Sequence, residues 1–168
     1  MRSSTVAKVG SVVAAAACMG IAGAQTSGIS ARLGAFFPTN SSASDLGSSW
    51  VAFGIDFKLN QLSAKVPVTG TQSYFGISAD YYAHGGDNDI PVALTYNLRQ
   101  APFTFSAGIG PDFRDASDLV DTGVGFSEQV GVSYDITPGP VPFFIQAKYF
   151  FASKPELSGI GVYIGARF

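Results

Sequence analysis

Apolar residues recur at every second position through eight stretches of this chain. The last stretch shows the pattern in full, with Ile160, Val162, Ile164, Ala166 and Phe168 set against Gly161, Tyr163, Gly165 and Arg167. A period of two is that of a β-strand with two unlike faces. Followed along the sequence, it predicts strands at Gly28 to Phe37, Trp50 to Leu59, Tyr74 to Tyr82, Ile90 to Arg99, Phe103 to Gly110, Gly123 to Ile136, Phe143 to Phe151 and Gly159 to Phe168. Between them lie runs of Gly, Pro, Ser, Asn and Asp, the residues of turns and loops. No helix is predicted, because apolar residues do not recur at three and four and glycines interrupt each candidate window.

The two faces differ in kind. One is apolar throughout, from Leu33 and Phe37 through Val51, Phe53 and Ile55 to Ile164 and Phe168. The other carries Arg32, Asp56, Lys58, Asp80, Arg99, Asp135, Lys148 and Arg167 among glycines such as Gly34, Gly54, Gly76 and Gly165. Glu128 departs from the pattern by falling on the apolar face of the sixth strand, which a bulge near Ser127 or a level above the lipid would explain. A soluble barrel turns its charged face to water and needs many Lys, Glu and Thr there. Glycine with a few charges of both signs suits a crowded interior instead, so the apolar face is assigned outward, to lipid. The aromatic residues also sort by level, with Phe57, Tyr96 and Tyr134 near the side of the termini and Phe37, Tyr81 and Phe151 near the other, as interfacial girdles do. Most strands approach the ~9 to 11 residues that a tilted strand needs to cross a bilayer. The predicted fold class is therefore all-β, an eight-stranded antiparallel up-and-down transmembrane β-barrel.

Composition sharpens this picture. The chain has 20 Gly and 14 Phe with 13% charged residues, yet no uninterrupted apolar run of spanning-helix length beyond its first two dozen residues, which excludes a helical membrane protein. Those first residues read differently. Arg2 and Lys8, the apolar stretch Val9 to Met19 and the "AGA" at Ala22 to Ala24 predict a secretory signal peptide over residues 1–24, cleaved to leave a barrel domain at 25–168. A lipoprotein leader is the rival reading of Cys18, but "AAAC" lacks the usual Leu or Val three residues before the cysteine. Loss of the leader removes the one cysteine, so no disulfide is expected, and leaves eight bases against twelve acids. The net charge of −4 argues against a nucleic-acid partner.

With its leader, eight alternating strands and a closing "GVYIGARF", the sequence resembles a small bacterial outer-membrane β-barrel of the OmpA/OmpX type. The resemblance covers the whole mature chain, and its motifs are generic to the architecture. It implies location in the cell outer membrane, outer-membrane lipid as a partner, and recognition by the barrel assembly machinery through the last strand, with Tyr163 and Phe168 as the signal. It implies no particular extracellular partner. Short connections at Arg99 to Pro102 and Thr137 to Pro142 put both termini on the periplasmic side, whereas the connection Asn60 to Ser73 is longer than such turns usually are.

Candidate chemistry is sparse. The eight inward charges are expected to form a lumen network that satisfies itself and plugs the barrel; a narrow gated pore is the alternative. Arg167 is expected beside Arg32, with Asp56 their nearest acid and Asp135 the next. The acidic stretch "PDFRDASDLVDTG" lacks the alternate-residue spacing of a calcium loop. His84 follows Ser78 and Asp80, a set that lipid-modifying barrel enzymes place at the outer rim, but its context "HGGDND" holds no His-x-Ser element. The expected function is a structural or surface-interaction barrel that is not an enzyme and has no cofactor or metal. The alternatives are a small-solute channel, a lipid-modifying enzyme and a secreted lipocalin-like barrel.

Overall fold

A computed structural model describes residues 28–59, 70–115, 121–136 and 141–168. The leader, and with it the cleavage expected after Ala24, lies outside them. Eight strands, β1 (Ile29–Pro38), β2 (Trp50–Leu59), β3 (Gln72–His84), β4 (Asp87–Gln100), β5 (Phe103–Asp115), β6 (Gly123–Asp135), β7 (Phe143–Ala152) and β8 (Gly159–Arg167), pair antiparallel in chain order and close into a barrel. At the seam β1 meets β8 with Ser30 opposite Arg167 and Pro38 opposite Gly159. The Gly28 N–H donates to the Phe168 carbonyl at 3.1 Å and the Phe168 N–H to the Ile29 carbonyl at 2.8 Å, so the last residue of the chain seals the joint. Closure satisfies the backbone groups that an open sheet would leave unpaired at its edges.

The alternation in the sequence sorts the side chains as predicted, and the barrel is inverted relative to a soluble one. Outward Leu33, Val51 and Ile164 are 60%, 64% and 57% exposed, while inward Arg32, Asp80 and Lys148 are 4%, 2% and 3% exposed. Glu128 needs no bulge. Register runs unbroken from Ser127 opposite Ala152 through Glu128 opposite Phe151 to Gln129 opposite Phe150, so the carboxylate points outward at the level of the Phe151 ring.

Two features differ from the sequence reading. β3 and β4 run past their predicted ends at the hairpin "HGGD", which turns in two residues with Gly85 at a φ of +63° in its first central position, and β5 extends to Asp115 by pairing with the lengthened start of β4. A positive φ at Gly85 is what a II′ hairpin turn requires and what glycine adopts without strain. Asp87, Asp89 and Asp112, expected in loops, consequently lie on strands and are buried. A short helix also occurs where none was predicted, α1 at Ser41–Leu46, capped by the Asn40 side chain accepting from the Ser42 N–H at 2.9 Å. Six residues are too few to show a helical period, so the cap is its main signal in the sequence.

Candidate functional site

The lumen is filled in its loop-side half and hollow in its terminus-side half. Inward-pointing Phe36 (β1), Trp50 (β2), Tyr82 (β3) and Phe150 (β7) form an aromatic plug, each at most 1% exposed. Phe36 and Tyr82 stack with ring centres 4.0 Å apart and planes 8° from parallel, and Phe150 approaches the Tyr82 ring at 5.4 Å. Ala43 from α1 and Leu157 from the 3-10 turn Pro155–Leu157 complete this cluster, and both are fully buried. Polar tips are accommodated: the Tyr82 hydroxyl lies 2.7 Å from Asp89 Oδ2 and 2.9 Å from the Leu157 carbonyl, and Trp50 Nε1 donates to the Gly47 carbonyl at 3.0 Å. Aromatic rings in such offset and tilted contacts contribute about 0.5 to 1.5 kcal/mol per pair beyond the area they bury.

Beneath the plug lies a layer of charge. Arg32 pairs with Asp56, and its Nη2 lies 2.6 Å from Asp80 Oδ1; Lys148 Nζ reaches across the lumen to Asp80 Oδ2 at 2.7 Å. Ser78 ties the layer together, accepting from Arg32 Nη2 and Lys148 Nζ at 3.0 Å each and donating to Asp80 Oδ2 at 3.0 Å. Gly54 makes the bridge possible, since a Cβ there would come within 2.8 Å of the Arg32 Nε and would overlap Asp80 Oδ1.

A second ionic group stands nearer the termini. Asp135 on β6 accepts from Arg99 Nη2 at 2.8 Å and also pairs with Arg167, whose Nη2 donates to Ser133 Oγ at 2.8 Å. Arg167 thus takes Asp135 as its acid and not Asp56, which corrects the expected seam triad. Ser30 stands opposite both Arg167 and Asp56 and donates to Asp56 at 3.0 Å, while Arg32 from the next layer takes that carboxylate, so Arg167 turns to Asp135 on the other side of β7. Lys58 joins neither group and lies 4.8 Å from the ring centre of Tyr74. The eight predicted lumen charges therefore form two clusters and one separate cation. Around the lower cluster is a cavity of about 510 Å³ that reaches the rim at Gly28, Pro142 and Phe168.

The remaining sequence candidates separate. His84 stacks on Trp50 at the loop-side rim, with ring centres 6.2 Å apart. Ser78 is held in the charge layer six residues below it, about 20 Å away along an extended strand. Ser78, Asp80 and His84 therefore do not assemble into a catalytic group. Tyr163 points into the lumen, 2% exposed and 5.4 Å from the Arg32 guanidinium, while Phe168 lies at the rim of the cavity. Among the described residues no group of three or more His, Cys, Asp or Glu is placed to hold a metal ion. The sequence hides the plug because Phe36, Tyr82 and Phe150 each stand beside an outward aromatic that fits the girdle.

No protein-family model matches the sequence, and no curated protein matches it. Solved structures do. The chain is similar to the outer membrane enzyme PagL, at 17% identity over 83% of this chain and 97% of that one, with a TM-score of 0.53. It is also similar to the Yersinia pestis outer membrane protein Ail, at 12% identity over 83% of this chain and 98% of that one, with a TM-score of 0.48. At these identities the likeness is one of fold. It corrects the expectation that the chain is not an enzyme, because PagL is an enzyme and its barrel has this architecture. A lumen without a recognisable catalytic group is therefore no ground for excluding catalysis.

Proposed function

We propose that this chain is an outer-membrane barrel, closed to the passage of solutes, that acts through the surfaces it presents at the two faces of the membrane, in a structural or surface-interaction role. One observation carries the reading. The fully buried aromatic plug is stacked directly on a fully paired charge layer, so a solute crossing the lumen would have to displace rings and break buried ion pairs together. The outward apolar surface supports a lipid environment and disfavours a secreted lipocalin-like barrel, which would turn its polar face to water. Ser78, Asp80 and His84 do not supply a site for lipid modification, and any catalysis would fall to other residues at these same surfaces.

Planar lipid bilayers test the closure. Purified protein should insert without conductance steps, while steps that scale with protein added would sink the closed-barrel reading in favour of the narrow channel. Location is tested separately by membrane fractionation with a heat-dependent gel shift, in which a closed barrel migrates faster before boiling than after.

A further inference from the structure

The hollow half of the lumen is not accounted for by a barrel that is merely closed. Its wall presents three cationic side chains, Lys58, Arg99 and Arg167, and one carboxylate, Asp56, which already engages Arg32 from the layer above. Asp135 is shared between Arg99 and Arg167, so one acid serves two guanidiniums. The acids Asp87, Asp89 and Asp112 lie at the loop-side end, and in the charge layer Asp56 and Asp80 balance Arg32 and Lys148, so Lys58, Arg99 and Arg167 face Asp135 alone and leave a local surplus of two positive charges around the cavity. The cationic groups are also held in place before any ligand arrives: the Arg167 guanidinium lies 4.2 Å from the ring centre of Phe144, and Lys58 lies over Tyr74. The rest of the wall is hydroxyl and amide, including Thr95, Asn97, Ser106 and Gln146.

We propose that this cavity is a binding site, open toward the termini, for a small polyhydroxylated organic anion such as a sugar acid or a polyol phosphate. The local charge surplus selects the anionic group, the hydroxyl and amide side chains of the wall select hydroxyls, and the volume of about 510 Å³ lies in the range of small-molecule sites. The cavity lies inside the barrel wall and meets the membrane only at its rim, so the ligand is a free solute and not a lipid headgroup. The inference stands apart from the closed-barrel reading, since a solute can dock at the terminus side whether or not the plug conducts.

The test uses the protein folded in zwitterionic nanodiscs, which offer no anionic headgroup, and follows its backbone amide signals during titration with D-gluconate and with glycerol 3-phosphate. Glycerol and D-glucose are the neutral counterparts. Saturable shifts confined to residues lining the cavity are expected with at least one anion and with neither neutral polyol. In Lys58→Gln/Arg99→Gln the binding should weaken by about tenfold or more, as loss of charge-assisted hydrogen bonds implies. If the double variant fails to fold, Lys58→Gln alone carries the comparison, because Lys58 has no acid among its described partners and its loss leaves none unpaired. No saturable shift with either anion, equal binding of the neutral polyols, or undiminished binding in the folded variant would overturn the proposal.

Discussion

Asp80 holds two cations where almost no water reaches, and its environment sets what its loss would do. Asp80→Asn should leave Arg32 and Lys148 short of a counter-charge in a dry layer, at a cost of about 3 to 5 kcal/mol. Asp56→Asn should cost distinctly less, because the Asp56 side chain is 33% exposed and Arg32 keeps its contact with Asp80. Unfolding titrations in lipid vesicles measure both, and equal losses would mean that the layer is as wet as the cavity beneath it. That these residues face inward was legible from parity alone. Which cation meets which acid was not, because pairing depends on the tilt and stagger of the strands, and alternation along one strand carries neither. Arg167 illustrates this: its face was evident, but with Ser30 and Arg32 engaging Asp56 its acid is Asp135, two strands away on β6, a choice the sequence does not display.

Single strands carry most of what the sequence foretold. β2 reads "WVAFGIDFKL" with every odd member inward, and its predicted limits, Trp50 to Leu59, coincide with the observed ones. Ile55→Arg, outward on this strand, should cost about 2 to 4 kcal/mol near the bilayer midplane. Thr95→Ser, inward beside the cavity, should cost well under 1 kcal/mol, as small polar replacements outside a packed core usually do. A bilayer-refolding titration that found the two equal would place the apolar face away from lipid. Strand ends were harder to read than strand faces. The predicted β3 stopped at Tyr82 because a histidine, two glycines and several acids look like a loop, whereas the two-residue turn at Gly85 keeps both arms paired as far as His84 and Asp87. Doublets such as "FF" and "YY" hid the plug in a similar way. Two adjacent aromatics in a strand must face opposite sides, so each doublet gives one ring to the exterior and one to the lumen.

For the molecule as a whole, strand order and closure fix an orientation that labelling can read. Cysteines placed at the exposed positions Ser42, in α1, and Gln100, the last residue of β4, lie at opposite ends of the barrel. In intact cells a membrane-impermeant thiol reagent should modify the first and spare the second, and the reverse result would invert the assigned topology. The same two ends differ inside, one being filled with rings and the other hollow, and this makes the barrel unequal in time as well as in shape. Inter-strand hydrogen bonds are of one kind along each strand, but an amide is exchanged with solvent only where water can reach it when the bond opens. Deuterium uptake should therefore run as a gradient along every staple of the wall, quick around Asn97 and Ser133 beside the cavity and slow around Phe36 and Tyr82. Loss of the fold would start at the terminus-side rim, and the end capped by α1 and Leu157 would be the last to let go.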